Sequence, residues 1–139
     1  MILFHSETNF HLPSKLLHKR WLAAIAKQEG YTIGDLNYIF CDDAYLLKIN
    51  LEYLNHDTLT DIITFDYVEN KVLNGDIFIS IERVTEKSKL CSVPFDQELL
   101  RVLSPGLLHL CGYKDKSDED AAIMRSKEDS SIQLFSTVR

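Results

Sequence analysis

Apolar positions Leu16, Leu17, Trp21, Ala24 and Ile25 recur at helical spacing, and Lys15, His18, Lys19 and Arg20 belong mainly to the opposite, wet face. With Pro13 suited to a first helical turn and Gly30 to a close, this predicts an amphipathic helix over 13–29. A short strand, Ile2, Leu3 and Phe4, precedes it, and residues 36–41 read as a second strand. Asp42 or Asp43 then caps a helix reaching to about Leu54. Residues 55–58 form a polar loop. Residues 60–68 are rich in β-branched and aromatic side chains and predict a strand. After a turn at Glu69, Asn70 and Lys71 comes a strand over 76–81, with Ile77, Ile79 and Ile81 on one face and Phe78 on the other. The short connection favours an antiparallel hairpin.

Helices follow over about 82–90 and from Pro94, the latter with Phe95, Leu99, Leu100, Val102 and Leu103 apolar. Ser104, Pro105 and Gly106 interrupt that pattern. Proline lacks the N–H that would bond the Arg101 carbonyl, which costs about 3 kcal/mol inside a helix. Gly106 adds about 1 kcal/mol. Residues 103–106 are therefore expected to kink or break, with Ser104 capping a new short helix. Ser117 with Asp120 resembles a capping box, and Asp118, Glu119 and Asp120 suit a helix N-terminus. The last helix is expected over 118–134, burying Ile123, Met124, Ile132 and Leu134.

The chemistry centres on residues 103–115. His109 lies among Leu107, Leu108 and Leu110, so it is expected to be partly buried and to need a hydrogen-bond partner or a metal. Gly112 can end the helix in the left-handed conformation and fold Asp115 back towards His109. Such a pair begins a zinc site without completing it. Cys111 is a poor further ligand, because two residues from His109 on a helix it points to another face. A satisfied core histidine is the competing reading of His109. Asp61, Asp66 and Asp76 are possible metal carboxylates, with strand-edge or turn roles as the simpler account.

Composition narrows the class. Among 139 residues, 45% are hydrophobic and 26% charged, as in a globular domain with a sizeable core. No apolar run reaches the roughly 20 residues of a membrane span, and the N-terminus lacks the basic region of a signal peptide. The three cysteines, Cys41, Cys91 and Cys111, show no disulfide or Cys-x-x-Cys pattern and fit a reduced cytoplasm. A net charge of −6 argues against a general nucleic-acid binder. A local basic patch is still compatible with RNA, its candidates being Lys87 and Lys89, then Lys114 and Lys116, with solvated surface lysine as the simpler account of each. The His-Glu-x-x-His pattern of zinc peptidases is absent.

Gly106, Leu108, His109, Leu110, Gly112 and Tyr113 match, position for position, the signature His-Gly-x-Leu-His-Leu-x-Gly-Tyr-Asp-His of the YbeY family. Its first histidine falls on Pro105 and its third on Asp115. Residues 60–65, Thr-Asp-Ile-Ile-Thr-Phe, are similar to the family's Thr-Asp-Val-Leu-Ser-Phe, and residues 75–80 to its Gly-Asp-Ile-x-Ile. Over nearly its whole length the chain thus resembles these bacterial metal-dependent rRNA maturation endoribonucleases.

The resemblance implies one α+β domain spanning 1–139, with a small mixed four-stranded sheet, about five helices and a metal site at a helix end. It implies one zinc ion held by His109 and Asp115, with the first histidine's place lost to Pro105. The implied activity is zinc-dependent, single-strand-specific cleavage during rRNA maturation, notably at the small-subunit 3′ end, and in ribosome quality control. The implied partners are rRNA and ribosome-associated proteins in the cytoplasm, with neither membrane nor DNA involved; no catalytic residue beyond the ligands is assigned. Loss of a ligand implies impaired activity. The family also carries an arginine after an aromatic residue near the end of the helix before the polar loop, where this chain has Leu54 after Tyr53; His56 is a candidate substitute donor or ligand, with a simply exposed loop histidine as the preferred reading. The alternative is a ribosome-associated RNA- or protein-binding factor that keeps the fold without the chemistry.

Overall fold

A computed structural model of the chain describes residues 1–54 and 60–138. The polar loop with His56 lies outside the described residues. The element order is β1 (Ile2–Ser6), α1 (Lys15–Gln28), β2 (Thr32–Cys41), α2 (Asp43–Ile49), β3 (Ile62–Asp66), β4 (Val72–Ser80), α3 (Ile81–Leu90), α4 (Phe95–Leu110) and α5 (Asp118–Phe135). A π-helical turn, Asn50–Leu54, extends α2. The architecture is α+β, with a four-stranded mixed sheet and five α-helices among the described residues.

The strands lie in the order β1-β2-β4-β3. The first three are parallel and β3 pairs antiparallel to β4. The expected hairpin is present, closed by a bridge between Glu69 and Val72. Asn70 and Lys71 both take positive φ there, 52° and 63°, as a two-residue turn of the twist-matching kind requires. β4 therefore begins at Val72 rather than 76. β2 likewise begins at Thr32 rather than 36, because the register shift between Ile33 and Leu36 takes up the polar Gly34–Asp35 step as a bulge.

One sheet face carries Leu36, Tyr38, Phe40, Ile77 and Ile79 against α1 and α4. The other carries Cys41 and Ile63, which form a smaller cluster with Leu46 of α2. On α1 the buried stripe is His18, Trp21, Leu22, Ile25 and Ala26, and the Trp21 indole donates to the Ser131 carbonyl at 2.7 Å, joining α1 to α5. Leu16 is exposed, outside that stripe. The caps follow the sequence: Asp42 accepts from the Tyr45 amide at 2.8 Å, and Ser117 from the Asp120 amide at 3.0 Å. On α5, Met124 is buried and Ile132 and Leu134 pack on the core, but Ile123 is 43% exposed, contrary to expectation.

The largest departure is in α4. The helix runs from Phe95 to Leu110 with Pro105 inside, and the expected break over 103–106 is absent. Packing outweighs propensity here. Leu103, Leu107 and Leu108 are buried around the proline, each worth about 1.5–3 kcal/mol, against about 3 kcal/mol for the proline. Ser104 does not cap a new helix; its hydroxyl donates to the Leu100 carbonyl at 2.8 Å inside this one. Gly106 has a packing reason. A Cβ there would meet Ile62 Cδ1 at 3.0 Å and Ile77 Cγ2 at 3.2 Å, so the missing side chain lets α4 lie close on β3 and β4.

Candidate functional site

Turning Leu103 and Leu107 into the core turns Glu98, Arg101, Val102, Pro105 and His109 to the opposite side, at spacings of three and four residues. They form one wall of a cleft of about 480 Å³. The start of β3 and α3 add Asp61, Ile62 and Lys87, α5 adds Arg125 and Glu128, and the loop after α4 adds Asp115.

His109 sits in the last turn of α4. The Gly112 amide donates to the His109 carbonyl at 3.0 Å and the Tyr113 amide to the Leu108 carbonyl at 3.1 Å. Gly112 takes φ 98°, the left-handed conformation that reverses the chain. The reversal brings the Tyr113 carbonyl to 3.0 Å from His109 Nδ1. A carbonyl only accepts, so Nδ1 carries the hydrogen and Nε2 keeps its lone pair. Nε2 faces Asp115 Oδ2 at 3.4 Å. In the neutral ring the two atoms are both acceptors, the pair of donors a cation would need.

The turn is held from outside. The Tyr113 hydroxyl donates to Glu29, and Lys127 reaches the same carboxylate at 3.1 Å while lying 5.4 Å over the Tyr113 ring. The hydrogen bond to Glu29 and burial raise the Tyr113 pKa, and the bond to Glu29 raises that of Lys127.

Zinc with three protein ligands needs one more donor. The position one turn before His109 is Pro105, which lines the cleft and has none. Among the described residues no group of three or more His, Cys, Asp or Glu side chains could hold a metal ion. Cys111 does not join the site: it packs on the core, and burial pushes its thiol up to about 12. Asp66 accepts from the Val68 amide at 2.8 Å and Asp76 from the Asn37 side chain at 3.1 Å, so both have structural roles. Asp61 does face the cleft, where Lys87 holds it at 2.9 Å. His109 and Asp115 thus come together as expected, and the three-ligand set does not form among the described residues.

Of the proposed basic patch, Lys87 alone lines the cleft; Lys89, Lys114 and Lys116 are exposed outside its lining. Burial disfavours the charge of Lys87, but the hydrogen bond and charge of Asp61 outweigh it and raise its pKa. Sequence reasoning missed Glu98, Arg101, Arg125 and Glu128. Arg101 pairs with Glu128 at 3.2 Å and Asp129 at 2.9 Å. Burial raises the pKa of Glu128 although Arg101 opposes it. Lys87, Arg101 and Arg125 face Asp61, Glu98, Asp115 and Glu128, so the cleft has no excess of positive charge. Leu54, in the place of the family's arginine, is 40% exposed and adds none.

The comparisons with known proteins place the chain in a family. The family model described as Endoribonuclease YbeY matches residues 5–136. An Endoribonuclease YbeY of Flavobacterium johnsoniae is 56% identical over 135 residues, covering 97% of each chain. One of Flavobacterium psychrophilum is 52% identical over 135 residues, covering 97% of this chain and 96% of its own. A solution structure of a Thermotoga maritima protein superposes with a TM-score of 0.68 at 30% identity, covering 97% of this chain and 89% of that one. The chain belongs to the YbeY endoribonuclease family.

Proposed function

We propose that this protein is a zinc-dependent endoribonuclease of ribosomal RNA maturation, acting on single-stranded RNA at the small-subunit 3′ end and in ribosome quality control, with rRNA and ribosome-associated proteins as cytoplasmic partners. The observation that carries this reading is the locked His109 ring, whose free Nε2 stands 3.4 Å from Asp115 in the cleft. His109 and Asp115 are the residues to hold zinc. A bound ion supplies Lewis acidity and a water of lowered pKa. Two protein donors hold it weakly, so activity is expected to be low.

The chain's own groups do the rest. The Tyr113 carbonyl accepts the Nδ1 hydrogen bond of His109 and so holds the ring with its Nε2 lone pair turned to the ion's place beside Asp115. Ile62, Val93 and Val102 give the cleft apolar walls that keep bulk water from part of it.

Pro105 and Leu54 favour a second reading, a ribosome-associated binding factor that retains the fold and has lost the cleavage chemistry. Cleavage of a single-stranded rRNA fragment by metal-stripped and zinc-reloaded protein separates the two. Weak cleavage restored by zinc and removed by His109→Ala supports the enzyme. Binding without cleavage in every state supports the binding factor, and undiminished cleavage by stripped protein rejects the metal mechanism.

A further inference from the structure

At the other end of the cleft, about 16 Å from His109 along the α4 axis at about 1.5 Å per residue, stands Glu98. Its residue is 6% exposed, and it lines the cleft. Its carboxylate has no hydrogen bond or ion pair among the described residues. Lys87 contributes charge nearby, but its ammonium bonds Asp61 at 2.9 Å. Arg101 is taken by Glu128 and Asp129. A carboxylate in so buried a residue, with no donor of its own, is left to accept from a ligand in the cleft, and the aliphatic Ile62, Val93 and Val102 line the same cleft.

We propose that Glu98 reads a base: it takes the Watson–Crick edge of an unpaired guanine in single-stranded RNA. This rests on the RNA-cleaving or RNA-binding reading above and adds a sequence preference to it. Unpaired bases are read on that edge by side chains, with apolar or aromatic surfaces against their faces. Guanine presents two adjacent donors there, N1–H and the N2 amino group, which match the two oxygens of one carboxylate. Adenine and cytosine offer one amino group beside an acceptor, and uracil offers one N–H between two carbonyls. Each leaves a carboxylate oxygen facing an acceptor or unpaired. The contact is remote from His109, so it selects which RNA is held without joining the chemistry.

The test is binding of short fluorescent uridine oligonucleotides, each carrying one central guanosine, adenosine, cytidine or inosine, to the intact protein. The guanosine oligonucleotide is expected to bind about tenfold or more tighter than the others. Inosine lacks the N2 amino group and should fall between guanosine and adenosine. This arm uses the unaltered protein, so folding does not enter. Glu98→Gln, of the same shape, should remove the guanosine preference and leave the weaker oligonucleotides bound as before, with its melting temperature confirming the fold. Equal binding of all bases overturns the proposal and leaves the RNA reading standing, as does a guanosine preference that survives in Glu98→Gln. No binding of any oligonucleotide overturns both.

Discussion

Two histidines in this molecule make the same first contact and have opposite fates. His18 Nδ1 donates to the Ser14 carbonyl at 2.9 Å, and His109 Nδ1 to the Tyr113 carbonyl at 3.0 Å. Both rings therefore keep a lone pair on Nε2. His18 is 8% exposed and packs with its ring centroid 5.1 Å from that of Phe135. His109 opens into a cleft with a carboxylate 3.4 Å from Nε2. The backbone bond fixes the tautomer in both cases. What the second nitrogen faces is where the two differ, and the chemistry proposed above falls to His109 alone.

The sharpest break of this comparison is a reciprocal pair of variants. His109→Ala should lower RNA cleavage about a hundredfold or more while costing only about 0.5–1.5 kcal/mol of unfolding free energy for the lost bond to the Tyr113 carbonyl. His18→Ala should cost about 1–3 kcal/mol in a urea titration and leave cleavage per folded molecule unchanged. If both variants lose activity in proportion to lost fold, the distinction fails.

Tyr113→Phe sharpens the comparison from outside the cleft. It removes the bond to Glu29 and should cost about 0.5–1.5 kcal/mol in the same titration. Two-dimensional NMR should show the His109 ring signals broadened or shifted, and those of His18 unmoved.

The smallest effect expected is on pH dependence. Burial lowers the His18 pKa below its ordinary 6.5, although the Ser14 carbonyl and the Asp96 charge oppose the shift. The unfolded chain then binds the proton more readily than the folded one. His18 thus contributes stability that is present above 6.5 and lost as pH falls through the lower folded value. His18→Gln should flatten the decline of the urea midpoint between about pH 7.5 and 5.5. An unchanged decline assigns it to other groups.

Much of the His109 end was legible in the sequence because its logic is local. A glycine three residues after the histidine reverses the chain, and Asp115 follows within reach. Ser117 and Asp42 announced their helices in the same way. The Glu98 end was not legible, because α3 and α5 come to it through tertiary packing. The 98–105–109 spacing on α4 was the one signal that could have placed Glu98 beside the site. Pro105 misled in the other direction: its local cost is real, but the burial of Leu103, Leu107 and Leu108 exceeds it. The starts of β2 and β4 were hidden by a bulge at Gly34–Asp35 and by a turn whose positive-φ residues are Asn70 and Lys71 rather than glycine. Ile123 shows that an apolar residue at helical spacing need not be buried.

The central claim is that His109 and Asp115 are two parts of a metal centre left incomplete by Pro105. Zinc content per chain, measured on the purified protein beside Pro105→His, tests it most directly. The account predicts well under one zinc per chain in the first and about one in the second, with RNA cleavage rising alongside. A Pro105→His protein that folds and remains as empty as its parent would contradict it, and His109 would then be a histidine satisfied by Tyr113 and Asp115 alone.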